Sequence, residues 1–326
     1  MRTIDKIYID GQFVIPHGQE KFDLFNPATE EKIGQVRLGD TVDAKAAIAA
    51  AKRAFPAYSR TSKADRIALL RRLHDAVLAR SELLAAAMIE EYGAPQAFVE
   101  FSAKHAANLF LDMAKTLESF EFTQTIDGAE VTRQPMGVVA AISPWNSNFG
   151  SICSKLATAL AAGCTVVIKP SEMSAIQTQV LAEALHEAGS PAGVFNIVNG
   201  RGDIVGTELS SHPDIAKVTF TGSTVVGRSI MRTASETMKR VTLELGGKGP
   251  NIILPDADLE SAIPTVVAVG FLNSGQACIA GTRVLAPRSR LPEIREKLKA
   301  AVRNIKVGES TDPAVKIGPM VSQKQW

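Results

Sequence analysis

Between Gly137 and Leu245, short apolar runs of strand length alternate with stretches of helical periodicity, and this alternation most limits the folds open to the chain. The runs are Val138–Ile142, Thr165–Lys169, Val194–Val198 and Lys217–Phe220, followed by Arg240–Leu245. Runs that are apolar almost throughout, rather than at every second position, call for burial on both faces. In a strand–helix–strand rhythm that means a parallel sheet with helices on both sides. Ligands of such sheets gather outside the carboxyl ends of the strands, so chemistry is expected just beyond each run. The residues there are Ser143-Pro144-Trp145-Asn146, Lys169-Pro170-Ser171-Glu172, Thr221-Gly222-Ser223 and Glu244-Leu245-Gly246-Gly247-Lys248.

The flanking segments read differently. Ile7 to Val14 alternates around Asp10-Gly11 and is expected to form two short strands as a lead-in. Ala-rich helical patterns run from Thr41 to about Tyr92, with breaks expected at Pro56 and near Ser81-Glu82, and a further helix is expected over about Pro95 to Leu117. Asp127-Gly128 between two strand-like segments predicts a β-hairpin. The 326 residues, 45% hydrophobic and 21% charged, suit a two-domain globular protein, and a net charge of +2 gives no reason to expect nucleic acid. No run reaches membrane-spanning length and no apolar leader follows Met1-Arg2, so a cytoplasmic protein is expected. Cys153, Cys164 and Cys278 are odd in number and lack metal-ligand spacing, which argues against a disulfide framework and offers no metal site.

Several residues beyond the strands carry two readings each. Gly222-Ser223-Thr224-Val225-Val226-Gly227 opens a helix and can present backbone N–H groups to a pyrophosphate, although a plain glycine-rich turn is the commoner explanation and the spacing departs from GxGxxG. Lys169 and Glu172 can contact ribose hydroxyls, or form a simple ion pair. A carboxylate at this place should repel a 2′-phosphate, favouring NAD over NADP. Glu244 stands in an otherwise apolar strand end, where burial would raise its pKa and suit it to activate water, or where it is merely structural. Cys278 lies in a small-residue stretch between Gly275 and Gly281 that leaves a thiol accessible, whereas Cys153 and Cys164 fit ordinary packing.

Taken in order and spacing, Pro144-Trp145-Asn146, Lys169-Pro170-Ser171-Glu172, Phe220-Thr221-Gly222-Ser223, Leu243-Glu244-Leu245-Gly246-Gly247-Lys248 and Gly275-Gln276-Ala277-Cys278 resemble the aldehyde dehydrogenase superfamily, from residue 7 to residue 326. The resemblance implies an α/β fold: a Rossmann-like parallel-sheet cofactor domain, a second α/β catalytic domain, incomplete here, and a β-hairpin oligomerisation arm. Its boundaries would be 1–118 for the N-terminal strands and helices of the cofactor domain, 119–136 for the arm, 137–246 for the NAD-binding sheet and 247–326 for the start of the catalytic domain. It implies Cys278 as nucleophile, Asn146 as oxyanion donor, Glu244 as the base for hydrolytic water and Lys155 as a supporting lysine. Trp145, Lys169, Ser171, Glu172, Gly222, Ser223, Gly227, Leu245 and Gly246 fall among the cofactor-binding residues. The activity implied is oxidation of an aldehyde to a carboxylic acid with NAD, through a cysteine thiohemiacetal and thioester.

The family pattern continues past Gly318-Pro319-Met320 with a glutamate that clamps the nicotinamide ribose and a terminal strand, and neither is present before Trp326, so a C-terminally truncated chain is expected. A homodimer or homotetramer is expected for the full-length protein. Ser147, Asn148, Ser151 and Ser154 occupy positions that line the family's aldehyde tunnel and suggest a roomy or polar one. Two alternatives stand beside the hydrolytic enzyme: a CoA-acylating relative, and a non-catalytic NAD-binding or structural relative.

Overall fold

The computed structural model describes residues 1–326. The chain begins with strands β1 (Arg2–Ile4), β2 (Ile7–Ile9), β3 (Gln12–Val14), β4 (Lys21–Phe25) and β5 (Lys32–Arg37). Asp10 and Gly11, at φ 53° and 81°, make the tight β2–β3 turn. Helices α1 (Thr41–Tyr58) and α2 (Lys63–Ala79) each begin with a reciprocal capping box, Asp40 with Asp43 and Ser62 with Asp65. Pro56 does not end α1 as expected from sequence, because it falls in the last turn, where its missing N–H removes one bond from a helix about to finish. α3 (Ser81–Tyr92) stops at Gly93, whose φ of 77° provides the left-handed cap, and α4 (Gln96–Ser119) follows. Strands β6 (Thr123–Ile126) and β7 (Ala129–Thr132) form the expected hairpin, with all eight strand residues exposed.

The strand–helix alternation then unfolds as β8 (Val138–Ile142), α5 (Asn148–Ala161), β9 (Thr165–Lys169), α6 (Ala175–Glu187), β10 (Phe195–Ile197), α7 (Thr207–Ser211), β11 (Ile215–Gly222), α8 (Thr224–Ser235) and β12 (Arg240–Leu245). The sheet order is β12-β11-β8-β9-β10-β2-β3, parallel from β12 to β10. β2 joins β10 antiparallel, so the segment taken as a lead-in is the far edge of the main sheet. Side chains alternate between two cores. Val139, Ala141, Val166 and Ile168 face a cluster of 39 buried residues that includes the inner faces of α2, α4, α5 and α6. Val138, Ala140, Ile142 and Val167 face one of 16 that includes α1, α7 and α8. Burial on both faces is what the unbroken apolar runs required.

From β8 the chain steps outward to β9 and β10, then returns to lay β11 and β12 on the other side of β8. The two directions part between β8 and β11, and the crevice outside their carboxyl ends is the topological switch point. Beyond it lie β13 (Pro250–Ile252), α9 (Leu259–Gly270), β14 (Arg283–Leu285) and α10 (Leu291–Arg303). β13 and β14 pair in parallel over a small core of Ile253, Leu259, Ile263, Val266 and Ile294. No helix is long and apolar enough to cross a membrane.

Candidate active site

A cleft of about 750 Å³ opens at the switch point. On one wall stands the segment leading to Cys278. A 3-10 turn over Leu272–Gly275 places Asn273, Ser274 and Gly275 at φ 53°, 58° and 75°. Left-handed backbone costs a non-glycine residue roughly 1–2 kcal/mol, so the turn needs outside bonds to hold it. Asn273 Nδ2 donates to the Asn146 main-chain oxygen at 3.2 Å, and the Gly318 N–H donates to Ser274 Oγ at 2.9 Å. The Val321 N–H donates to Gln276 Oε1 at 3.1 Å, and Gln276 Nε2 donates to the Pro319 carbonyl at 3.4 Å. Two residues later Cys278 lies exposed on the cleft wall, while Cys153 and Cys164 are buried and burial pushes the Cys153 thiol far up.

Asn146 reaches the same loop from the turn after β8, its Nδ2 donating to the Gln276 main-chain oxygen at 2.6 Å. An amide nitrogen carries two hydrogens, so one remains for a ligand. Glu244 lines the cleft from β12. It is not buried as its apolar neighbours suggested but exposed, because β12 is the outer strand of the sheet and no further strand covers its free side. Behind it Lys155 donates from α5 to Thr219 Oγ1 on β11 at 3.2 Å. Burial lowers the Lys155 ammonium to about 8, against the opposing pull of Glu244, with Lys217 adding a smaller push down. Lys155 does not itself line the cleft.

The cleft is also lined by Trp145, Lys169, Ser171, Glu172, Gly222, Ser223 and Gly246. Lys169 is buried, and its ammonium donates to the carbonyls of Pro170 at 2.5 Å and Gly200 at 2.8 Å, and to Glu172 Oε2 at 3.4 Å. Burial holds its pKa below the ordinary lysine value against the pull of Glu172. The long Glu172 bond is the one a ligand hydroxyl can replace most easily, which leaves Glu172 free to accept from it. Ser171 caps the short turn that carries Glu172 by accepting from the Met173 N–H at 3.3 Å. Half-buried Trp145 packs its ring 5.6 Å from that of Tyr92, and its carbonyl accepts from Ser174 Oγ.

Ser223 caps α8, leaving the first turn of that helix open to the cleft with Val225 77% and Val226 46% exposed. At Gly222 a Cβ would meet the Phe220 ring at 2.4 Å, and at Gly227 it would meet Leu245 at 2.8 Å. Gly227 and Leu245 lie outside the cleft lining, and their close approach brings α8 against β12. Asn148 is fully buried, bonded to Ser143 Oγ and Thr178 Oγ1, so it holds α5 to the loop and lines no tunnel.

The sequence missed the wall made by Gly202, Gly206, Thr207 and Ser210, in the turn after β10 and in α7. The rule that ligands gather beyond strand ends applied there too, and Gly200 and Gly202 mark the turn it would have reached. Ser322, Lys324 and Gln325 also line the cleft. Their polar, patternless sequence offers no local signal.

Comparison with known proteins identifies the family and the fold. The model of the Aldehyde dehydrogenase family matches residues 13–326. The chain is 42% identical over 328 residues to a 3-succinoylsemialdehyde-pyridine dehydrogenase of a Pseudomonas species, covering 100% of this chain and 69% of the relative. A putative aldehyde dehydrogenase of Staphylococcus haemolyticus is 37% identical with the same coverage. Among solved structures, a mutant of aldehyde dehydrogenase C from Pseudomonas syringae, in complex with NAD+ and octanal, superposes with a TM-score of 0.95 at 40% identity, covering 98% of this chain and 66% of that one. An aldehyde dehydrogenase from Bartonella henselae gives 0.96 at 37% identity, covering 99% and 69%. The chain thus spans about two thirds of the length of the relatives it matches.

Proposed function

Since this chain belongs to the aldehyde dehydrogenase family, we propose that its cleft oxidises an aldehyde to a carboxylic acid with NAD, using Cys278 as the nucleophile. The observation that carries the reading is the meeting of an exposed thiol, a side-chain amide and an exposed carboxylate, Cys278, Asn146 and Glu244, in one cleft at the switch point. The donor set also suits a dinucleotide. The open first turn of α8 offers N–H groups to a pyrophosphate, Lys169 and Glu172 offer a donor and an acceptor to a ribose, and Val226 offers an apolar surface to a flat ring. Glu172 opposes a 2′-phosphate, hence NAD rather than NADP. When bound, the cofactor supplies a hydride acceptor.

The Cys278 thiolate adds to the carbonyl carbon, and the resulting alkoxide takes the free Asn146 N–H and the Cys278 backbone N–H as donors. Loss of hydride from that carbon leaves a thioester on Cys278. Glu244, on an exposed rim where water is at hand, removes a proton from a water whose oxygen attacks the thioester. The Cys278 thiolate departs and the carboxylic acid is released. A carboxylate lining the same cleft as the thiol favours this hydrolytic route over transfer to CoA. The three groups together also favour catalysis over a purely structural role. We further propose a cytoplasmic enzyme that associates through its exposed hairpin as a homodimer or homotetramer.

The test is NADH formation with a panel of aldehydes, compared for NAD and NADP and with CoA present or absent. Carboxylic acid formed at full rate without CoA is expected. Oxidation that depends on CoA and yields an acyl-CoA would replace the hydrolytic reading, and no aldehyde-dependent NADH would end it.

A further inference from the structure

Gln276 is bonded at both ends, in opposite directions. Its side-chain amide is clasped by the strap over residues 318–321, accepting from the Val321 N–H at 3.1 Å and donating to the Pro319 carbonyl at 3.4 Å. Its main-chain carbonyl accepts from Asn146 Nδ2 at 2.6 Å. The strap is itself fixed, since the Gly318 N–H donates to Ser274 Oγ and a Cβ on Gly318 would meet the Gly93 carbonyl at 2.3 Å, so strap and α3 cap are in close contact. Between these anchors the backbone passes through three consecutive left-handed residues, Asn273 to Gly275, a path it would leave if released.

We propose that Gln276 is a positioning residue: held by the strap, it fixes where its own carbonyl lies, and that carbonyl orients the Asn146 amide so that its second N–H points at the place where the alkoxide forms. The role rests on the reading of Asn146 as oxyanion donor. An amide rotates about its last side-chain bond over a broad range, and a donor that must be turned into place during the reaction stabilises the transition state less than one already set. The short bond to the Gln276 carbonyl removes that freedom while consuming only one of two hydrogens. The bond is made by main chain, so its strength is indifferent to the side chain at 276, but its location is not.

The experiment is a double-substitution cycle read by steady-state kinetics and by NMR of the Asn146 side-chain amide, assigned through its loss in Asn146→Ala. Gln276→Met keeps the side-chain length and removes both strap bonds; Gln276→Glu keeps the acceptor for Val321. Gln276→Met is expected to lower kcat by roughly tenfold with KM for aldehyde and cofactor within about twofold, and Gln276→Glu to recover part of the loss. In the Asn146→Ala background Gln276→Met should lower kcat no further, because both act through one amide. Losses that multiply, or an unchanged kcat, would overturn the proposal. The amide signal gives a reading independent of activity: one shifted, slowly exchanging Asn146 proton in the parent should move toward the free-amide position in Gln276→Met, and an unmoved signal would count equally against it. A parent protein that oxidises no aldehyde yet shows the expected amide shift would defeat the functional reading while leaving the positioning contact standing.

Discussion

At the cleft, Cys278, Asn146 and Glu244 arrive from three separate stretches of chain, and under the proposed chemistry Glu244 has a distinguishable kinetic signature. Glu244→Gln keeps the shape and removes the base, so acylation should proceed and thioester hydrolysis should stall. A stopped-flow burst of about one NADH per active site followed by turnover slowed roughly a hundredfold is expected. A slow reaction with no burst would place Glu244 before hydride transfer. Lys155 makes a prediction about stability. Its folded pKa of about 8 lies below the ordinary 10.5, so its contribution is most favourable above pH 10.5 and is lost as pH falls through 8. Lys155→Met should therefore melt higher than the parent at about pH 7, with the gap closing toward about pH 10.5, as followed by calorimetry. The placing of Cys278 and Asn146 in the cleft was legible because small residues and strand ends are sequence features. The exposure of Glu244 was not, because it depends on which strand lies at the edge, and strand order is written nowhere near residue 244.

α3 has a buried feature that no local pattern announces. Glu91, in its last turn, is almost fully enclosed and accepts from the Ile176 N–H at 2.8 Å, the Gln177 N–H at 3.1 Å and Gln177 Nε2 at 3.3 Å, so a side chain from one helix caps the start of α6. Burial pushes its carboxyl up to about 8 from an ordinary value near 4.5, in spite of the N–H groups that pull it down. A raised carboxyl holds its proton more tightly folded than unfolded, so its contribution to stability is present below about pH 4.5 and lost as pH rises through 8. Glu91→Gln should flatten that slope, and urea midpoints for parent and variant between about pH 5 and pH 8.5 check it; parallel curves would disprove it. The parallel strands of the main sheet and the extent of the helical region up to α4 were readable because apolar runs and helical periodicity are contiguous signals. Glu91 sits among helix formers, and its meaning comes from α6, which packs against it from 85 residues away.

The molecule as a whole joins a well-packed sheet domain to a smaller unit around β13 and β14, with a two-stranded hairpin projecting from the first. All eight residues of β6 and β7 are exposed, including Ile126 at 49% and Val131 at 40%. Replacing residues 123–132 with a short Gly-Ser link, which leaves Phe122 packed against the core, should shift the protein toward monomer in light scattering with little change in far-ultraviolet dichroism, since the two strands are exposed throughout. An unchanged mass would remove the hairpin from the association. The sheet also links events in time. β2 and β3 are synthesised long before their partner β10, whose Ile197 pairs with Tyr8. At roughly 5–20 residues per second the hairpin waits on the order of 10–40 s for its neighbour, an unpaired edge held open during synthesis. The earliest-made part of the sheet thus waits longest for its partner strand, and chaperones that bind extended, half-apolar segments have their longest opportunity at β2 and β3.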